Sequence, residues 1–553
     1  MKSKIHRNSI FWALLVSIAG AIYSYLLHSP TIGIDDANIT QTYANNIARG
    51  YGYVYNEGSE KVEGSTSLAW TVINIIFFYI FENPENLITI FCFLLTVATI
   101  SESFNLLKKL TINLEVNLFF SEITFILFLI SSPSFFSWSI WTLMDISLWI
   151  LLFTIIVSRT CNVVTNKNQS TDPNNSLLLL YFSLVMLPVV RPEGIAISLG
   201  FSSLLLIYSI KTSDLKLRKV VGVTVVTIIM LLSIVTLLRL DYFGYPVPNT
   251  FYAKVSTNYI DQATTGFNYL IRYLKTPLIA TLVTLSFSFI ALMNLMSKKI
   301  LQFNMWLNLV LVSSIVGVFC LYVVLGGDHF GSARQFQILT PLISVTSAIC
   351  LAQIVKFLSE RFNKKDVSIS FAGTIIIFVI VILVIPSLYM YSEDKGNIDH
   401  EFRISEEGQL LGELLNELPN SPSIGVIAAG GISRTYKGYI YDLMGLNWIE
   451  MAHSNRLHNS EAPKNHAAFN KSVFYKYKPD IVVPLIDACE YISEKEIATS
   501  FKNKALDGLL LDEEFKASYT FVCFKEASFY INKSLIEDIG VLLTEPINYN
   551  INE

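Results

Sequence analysis

Charged side chains are scarce in this sequence. Only 15% of the 553 residues are Asp, Glu, Lys or Arg, whereas 52% are hydrophobic. The mean hydropathy of +0.49 is too high for an ordinary soluble domain. The 40 basic and 44 acidic residues leave a formal net charge of −4, so there is no basic excess and nucleic acid is not an expected partner. The composition therefore predicts a membrane protein.

Other familiar signals are also missing. No small-residue cleavage site follows the first apolar run. That run and its basic lead (Lys2, Lys4, His6 and Arg7) therefore predict an uncleaved first helix instead of a signal peptide. The Gly430-Gly431 turn does not continue as Gly-x-Gly-x-x-Gly, so it predicts an ordinary strand end and no dinucleotide site. The sequence has neither an internal repeat nor a low-complexity tract.

Many apolar runs approach or reach the roughly 20 residues that cross a bilayer. The twelve candidates are residues 10–27, 67–81, 87–107, 117–130, 140–157, 176–190 and 194–210, with five more in the second half of the chain. The runs 67–81 and 176–190 are short for a span. We therefore expect a multi-pass α-helical membrane protein with about 11–13 helices.

Basic clusters orient the second half of the chain, because the positive-inside rule places them in the cytoplasm. They lie at Lys211–Lys219, Ser297–Lys299 and Arg361–Lys365. The segments that then face outward are residues 239–268, 326–337 and everything after Tyr391. The amino-terminal basic cluster is cytoplasmic by the same rule, so residues 28–66 also face outward. The polar loops with the most interesting chemistry are thus predicted to share one face of the membrane.

Composition also predicts two domains. Residues 1–391 form the transmembrane body, and residues 392–553 contain no run long enough to span, which indicates a soluble domain. The orientation given by the basic clusters places this domain outside the cytoplasm. The elements of a small α/β fold are predicted as strands at Ser423–Ala429 and Asp480–Pro484 and a helix at Glu407–Leu418. Cys489 and Cys523 lie in this domain, where they either form a disulfide or remain free thiols.

Two adjacent carboxylates follow the first apolar run. Asp35 and Asp36 lie at a membrane–water boundary, where charge is costly unless it is paired or used. Ile39, Tyr43 and Ile47 continue from Asp35 at a spacing of four, which predicts a short amphipathic helix on the membrane surface. Either Asp could simply cap this helix. The functional interpretation is a general base for an acceptor hydroxyl or a metal ligand, so the need for a divalent metal stays open.

The same loop carries further polar residues. Arg49 precedes a Gly-Tyr-Gly turn, and Lys61 and Glu63 follow that turn. Lys61 and Glu63 either form a local ion pair or line a cavity beside the two carboxylates. We count all three residues as candidates that line the substrate.

Three cations are candidates for binding phosphate. Arg191 lies with Glu193 at a helix break between two apolar runs, where the two side chains form a salt bridge or Arg191 binds an anion. A guanidinium can grip phosphate with two hydrogen bonds. Lys254 ends a turn rigidified by Pro and Asn that contains Asn249, and Arg334 lies just before an apolar run. We predict phosphate binding by Arg191, Lys254 and Arg334, with Glu193 and Asn249 lining the substrate.

Three more residues complete the predicted site. Asp328 and His329 lie in a Gly-rich outward loop, and Asp145 falls in the first turns of an apolar run. A buried carboxylate at such a position indicates a cavity or a partner. The spacing matches no known metal site, so we predict that these residues line the substrate and assign no metal ligands.

An ordered set of short motifs resembles a known family. It consists of IDDANITQTYANNIARGYGYVYNEGSEKVEGSTSLAW, then RPEG, VPNTFYAK, GGDHF, YIYDLMGLNWIEMAH and KPDIVV. The set resembles bacterial GT-C glycosyltransferases, above all the mycobacterial terminal β-(1→2)-arabinofuranosyltransferases and their relatives. The resemblance implies a polyprenyl-phosphate-linked sugar as the donor and the aspartate of the first loop, Asp35 or Asp36, as the base. It also implies catalysis on the outer face of the bacterial cytoplasmic membrane.

These observations lead to one expected function and two rivals. We expect an inverting glycosyltransferase that moves a sugar, with arabinofuranose favoured by resemblance, from polyprenyl phosphate to a glycan or protein acceptor. One rival is a transporter or flippase for lipid-linked glycans, although the absence of an inverted repeat argues against it. The other rival is a non-catalytic surface protein that binds glycans.

Overall fold

The computed structural model describes residues 2–165, 173–254, 259–295, 301–362, 373–394, 398–454, 466, 468–484, 494–524 and 527–539. The basic cluster Ser297–Lys299, most of Arg361–Lys365 and Cys489 lie outside these residues. Cys523 is disulfide-bonded. The chain forms two compact units. The first comprises Met1–Pro30, Asn86–Ser233 and Asn258–Asp399, and the second comprises Thr31–Glu85, Ile234–Thr257 and His400–Glu553.

The first unit is helical. Its α-helices are Lys2–His28, Glu85–Asn113, Leu118–Ile130, Pro133–Phe136, Ile146–Thr165, Pro173–Val190, Gly194–Lys211, Leu215–Phe243, Tyr259–Leu274, Pro277–Leu295, Leu301–Val324, Thr340–Phe362 and Ile385–Asp394, with π-helical turns at Ser137–Trp141 and Ile380–Val384 and a 3₁₀ helix at Gly331–Leu339. The end of Leu215–Phe243, from Ile234 on, belongs to the second unit. Large side chains such as Trp138, Trp149 and Phe153 fill the interior.

The predicted membrane spans are helices in the structure. Among the described residues, eight helices are long and apolar enough to cross a membrane, or up to ten if each of two bent pairs is one span. Two shorter apolar helices, Leu68–Ile80 and Asn175–Val190, match the two runs predicted to be short. These segments together correspond to the twelve predicted runs. The expected multi-pass α-helical architecture is thus confirmed.

One predicted boundary is wrong. The run at 140–157 is not a single helix, because Leu143 has a φ of 58° and this left-handed conformation interrupts a right-handed helix. The helix begins at Ile146. Asp145 therefore lies in the break before the helix and not inside its first turns.

The second unit contains a five-stranded mixed sheet. Its strands are β1 (Ile424–Val426), β2 (Ile440–Asp442), β3 (Ile481–Val483), β4 (Tyr519–Phe524) and β5 (Ala527–Asn532). The order is β2-β1-β3-β5-β4. β1 is parallel to β2 and β3, and β5 is antiparallel to β3 and β4. The two strands predicted from the sequence are β1 and β3.

The second unit also contains helices, most of them short. They are Asp35–Ala48, Leu68–Ile80, Asn249–Lys254, Ile398–Leu415, Ile449–His453, Lys471–Tyr477, Glu494–Thr499, Phe501–Ala505, Glu513–Ser518 and Lys533–Ile539, with 3₁₀ turns at Ile432–Arg434 and Leu509–Leu511. The helix Ile398–Leu415 contains most of the helix predicted at Glu407–Leu418, and Asp35–Ala48 confirms the helix predicted after Gly33.

The segment around Asp35 is part of the core of the α/β unit. Ile39, Tyr43 and Tyr55 from this segment pack in one hydrophobic cluster with Leu411 and with the strand residue Val426. Burying each such side chain contributes about 1.5–3 kcal/mol. By compactness, residues 31–85 and 234–257 thus group with the C-terminal α/β unit, whereas the sequence placed a single boundary after residue 391.

Candidate functional site

The carboxylate of Asp35 is anchored by the backbone of a distant turn. Its Oδ1 accepts hydrogen bonds from the N–H groups of Gly430 and Gly431, at 2.9 and 2.8 Å. Asp35 opens the helix Asp35–Ala48, but the cap position is Ile34 and no side chain caps this end. The alternative that Asp35 merely caps its own helix is therefore wrong. Its Oδ2 has no hydrogen-bond partner within the described part of the chain, and the residue is half-buried.

Close packing fixes this arrangement. A side chain at position 430 would collide with the backbone oxygen of Asp35, so only glycine fits there. Burial raises the pKa of Asp35 to about 7, the two backbone N–H groups oppose this rise, and the nearby Asp36 and Asp442 add to it. The interpretation of Gly430-Gly431 as an ordinary strand end missed this role. Its signal was two adjacent glycines, whose N–H groups another segment can approach closely.

A buried polar network lies in the same unit. Asp442, at the end of β2, accepts hydrogen bonds from the backbone N–H of Met444 and from the backbone and side-chain N–H groups of Asn447, each at 2.9 Å. Tyr43 donates to Oδ1 of Asn447 at 2.9 Å and accepts from the N–H of Gly64 at 3.2 Å. Burial raises the pKa of Asp442 to about 6. The network ties the loop before residue 66 to the segment after β2.

Glu63 does not pair with Lys61. It forms two hydrogen bonds with Arg239, at 2.7 and 2.8 Å, and both side chains are largely buried. Lys61 instead lies 4.3 Å from the centre of the Tyr242 ring. The local ion pair considered from the sequence is wrong, because the buried carboxylate of Glu63 takes the planar, two-pronged partner that a guanidinium offers.

The other predicted residues of this unit differ in their surroundings. The side-chain amide of Asn249 donates to the carbonyl groups of Gly445 and Leu446, at 2.8 and 3.0 Å, so it holds two segments together. Arg49 is exposed and Lys254 is half-buried. Within the described residues, neither cation has an ion-pair partner.

A second group of predicted residues meets in the helical unit. Arg191 lies at the tight turn between Pro173–Val190 and Gly194–Lys211, with its Nε 3.0 Å from Glu193 and 3.8 Å from Asp145. The salt bridge between Arg191 and Glu193, one of the two predicted alternatives, is confirmed. The hydroxyl of Tyr322 donates to Glu193 at 3.4 Å. Nη1 of Arg191 is buried and has no partner among the described side chains.

The Gly-rich loop completes this group. Arg334 forms a salt bridge with Asp328, and its Nη1 lies 3.3 Å from the sulfur of Met144. His329 donates its backbone N–H to Asp328 at 2.8 Å, and its Nδ1 lies 3.3 Å from the same carboxylate. Burial raises the pKa of Asp145, and both guanidinium groups oppose that rise. Arg191 and Arg334 are thus already balanced by acidic partners.

The predicted site residues therefore form two groups, one in each unit. Asp35, Asp36, Arg49, Lys61, Glu63, Asn249 and Lys254 belong to the α/β unit, whereas Asp145, Arg191, Glu193, Asp328, His329 and Arg334 belong to the helical unit. Within the residues that the structure describes, no group of three or more His, Cys, Asp or Glu side chains could hold a metal ion. Arg239 and Asp442 were not predicted.

Two solved structures of membrane proteins are similar to this chain in fold. ArnT from Cupriavidus metallidurans, in a structure bound to undecaprenyl phosphate, matches with a TM-score of 0.56 at 10% identity, over 94% of this chain and 97% of that chain. The archaeal oligosaccharyltransferase AglB from Archaeoglobus fulgidus, in complex with an inhibitory peptide and a dolichol-phosphate, matches with a TM-score of 0.53 at 12% identity, over 97% and 75%.

No protein-family model matches the sequence, and the curated proteins contain no match. The structural likeness supports the expected GT-C fold but not the arabinofuranosyltransferase family. The chain has the fold of a multi-pass α-helical membrane protein of the GT-C type with a small C-terminal α/β domain.

Proposed function

We propose that this protein is a membrane glycosyltransferase that uses a polyprenyl-phosphate-linked sugar as its donor. The observation that carries the proposal is the carboxylate of Asp35. One of its oxygens is fixed by two backbone N–H groups and the other has no partner among the described residues. Its raised pKa suits a general base at neutral pH. The likeness in fold to structures that hold undecaprenyl phosphate or dolichol-phosphate supports the choice of donor.

The proposed reaction is a single inverting displacement. Oδ2 of Asp35 accepts the proton of an acceptor hydroxyl while the hydroxyl oxygen attacks the anomeric carbon of the sugar. The bond between that carbon and the phosphate oxygen breaks, and the phosphate leaves with the electron pair. Asp35 is proposed as the base in preference to Asp36 because two hydrogen bonds hold its carboxylate in one orientation. No step of this reaction is assigned to a metal ion.

Phosphate binding is proposed separately for each cation. Lys254 suits this role best, since it belongs to the unit that contains Asp35 and has no acidic partner within the described residues. A phosphate can share Arg191 through its unpartnered Nη1 while Glu193 keeps Nε. Arg334 is balanced by Asp328, so phosphate binding there requires that pair to open.

The finer assignments rest on resemblance and on charge distribution. Arabinofuranose is proposed as the sugar and a glycan or protein as the acceptor. The basic clusters support an orientation in which the α/β unit lies outside the bacterial cytoplasmic membrane.

The test of the base is a set of single substitutions. Purified Asp35→Asn and Asp36→Asn variants are compared with Asp241→Asn, a control that removes an exposed carboxylate in the same unit. Loss of a general base lowers a rate about 10²- to 10⁴-fold, so we expect a loss in this range for Asp35→Asn and unchanged turnover for the control. Full transfer by a folded Asp35→Asn variant excludes this residue as the base, and an equal loss in the control excludes a specific role.

A further inference from the structure

The helix Tyr259–Leu274 presents different chemistry on different sides. Tyr269 and Tyr273 are buried within the helical unit, with 2% and 3% exposure. Ile260, Phe267 and Ile271 are 78%, 54% and 37% exposed. Their spacing of seven and four residues aligns them in one stripe, and at about 100° per residue this stripe lies roughly opposite the two buried tyrosines. The helix thus exposes three large apolar side chains on one side, with the exposed Thr264 between Ile260 and Phe267.

Polar residues form a separate stripe. Asp261, Asn268 and Arg272 are exposed. Each follows a member of the apolar stripe by one position, so the polar stripe is rotated by about 100° around the helix axis. A helix with one apolar stripe and one charged stripe, both exposed, is typical of a segment that lies in the membrane interface.

The next helix along the chain indicates how Tyr259–Leu274 is oriented relative to the membrane. Pro277–Leu295 has 19 residues, which at 1.5 Å per residue span about 28 Å, close to the roughly 30 Å of a hydrocarbon core. Between Tyr259–Leu274 and the segment Pro277–Ala291 of this helix, the chain bends by 94°. If Pro277–Leu295 crosses the bilayer, the preceding helix runs parallel to the membrane surface.

From these observations we infer that Tyr259–Leu274 lies in the plane of the membrane, with Ile260, Phe267 and Ile271 inserted at the boundary between head groups and acyl chains of one leaflet. The partner is the lipid bilayer. A lipid surface is favoured as the occupant because Ile260, Phe267 and Ile271 are exposed on a helix that leads directly into the apolar helix Pro277–Leu295. The inference is independent of the proposed transferase activity.

Tyr269 on the buried side of the helix and Arg272 in the polar stripe both contact the Gly-rich loop. The hydroxyl of Tyr269 accepts the N–H of Gln335 at 3.1 Å, and Arg272 donates to the carbonyl of Asp328 at 3.2 Å. Gly327, with a φ of 64°, lies so close to the Tyr269 ring that no side chain fits there. An in-plane helix therefore keeps the segment with Asp328 and Arg334 at a fixed depth beside the head groups.

Spin-label depth measurements test this placement in the full chain. The labels are attached at Phe267→Cys, Ile260→Cys and Asn268→Cys in a Cys320→Ser background, which removes the exposed one of the free cysteines that the structure describes. A label at Phe287→Cys serves as the reference for the membrane core, about 15 Å along the helix from Pro277. The protein is reconstituted in phosphatidylcholine bilayers, signal from the unlabelled positions is subtracted, and accessibility to oxygen and to a water-soluble nickel chelate is compared.

We expect the labels at 260 and 267 about 5–10 Å below the phosphate level, the label at 268 in contact with the nickel chelate, and the label at 287 clearly deeper. Two labelled positions on the stripe keep the test decisive if one variant does not fold. Nickel contact at both stripe positions, or a depth equal to that at 287, overturns the inference in favour of an aqueous or a broken spanning helix. Spin–spin broadening between stripe labels, with no lipid contact, overturns it in favour of a second copy of the chain.

Discussion

The raised pKa of Asp35 predicts an unusual dependence of activity on pH. If the ionised carboxylate is the base, kcat/KM rises with pH as the free enzyme loses this proton. Burial raises the pKa of this group to about 7, whereas an ordinary Asp titrates near 3.9. The acidic limb of the pH profile is therefore expected within the physiological range.

The size of the expected change in kcat/KM follows from the fraction of Asp35 that is ionised at each pH. With a pKa of about 7, roughly 9% of the enzyme is ionised at pH 6, half at pH 7 and about 91% at pH 8. With the pKa of an ordinary Asp, about 99% is ionised at pH 6 already. The relative rates predicted for the two cases thus differ by about tenfold at pH 6 and by about thirtyfold at pH 5.5, the acidic end of a profile measured from pH 5.5 to 8.5.

The assay measures initial rates of sugar transfer at low donor concentration, with protein in bilayers and the fold checked at each pH. The Gly430→Ala variant tests whether the environment of Asp35 sets the pH at which activity rises. Its added side chain pushes Asp35 away from the two N–H groups that stabilise the charged form, so the limb is expected to move to higher pH. A flat profile from pH 5.5 to 8.5 in the unmodified protein refutes the role of Asp35, whatever the variant does.

Three further outcomes follow from the contacts in the α/β unit. Glu63→Gln is expected to lower the free energy of unfolding by about 3–5 kcal/mol, because it leaves Arg239 buried without its charge partner. The exposed control Glu57→Gln should change that free energy by less than about 0.5 kcal/mol in thermal unfolding. Equal losses in the two variants contradict a buried ion pair between Glu63 and Arg239. Burial raises the folded-state pKa of Asp442 from 3.8 to about 6, so the folded state holds this proton more tightly than the unfolded state. The free energy of unfolding should therefore fall as pH rises from about 4 to 6, and Asp442→Asn should reduce this dependence on pH. An unchanged dependence in the variant argues against a buried, titrating carboxyl. Lys254→Ala is expected to raise KM for the lipid-linked donor about 10- to 100-fold, because the variant loses one charge-assisted hydrogen bond to the phosphate. An unchanged KM excludes Lys254 as a phosphate ligand.

Local features of the fold could be predicted from the sequence. Apolar run lengths located the helices, and the spacing of Ile39 and Tyr43 predicted the helix that carries Asp35. The pair Arg191 and Glu193 was foreseen as one alternative because both residues flank the same proline turn. Such patterns depend on neighbours within a few residues, and these are visible in a linear sequence.

Long-range partners could not be predicted in the same way. Glu63 lies close to Lys61 in sequence, yet it pairs with Arg239, 176 residues away. The turn that holds Asp35 is 395 residues distant. These pairings depend on which segments pack around the sheet, and no local spacing encodes that choice. The left-handed Leu143, which moves the helix start past Asp145, is equally invisible, because nothing in its type requires a positive φ.

Donor consumption tests the proposed activity most directly. The purified protein, in bilayers, is incubated with an acceptor preparation and with polyprenyl phosphates that each carry a different radiolabelled sugar, arabinofuranose among them. The label transferred and the free polyprenyl phosphate formed are both measured. We expect one sugar to be consumed with equal release of polyprenyl phosphate, and this turnover to be lost in Asp35→Asn. Consumption of none of the donors, or equal consumption by Asp35→Asn, contradicts the proposed glycosyl transfer from a carrier lipid with Asp35 as the base.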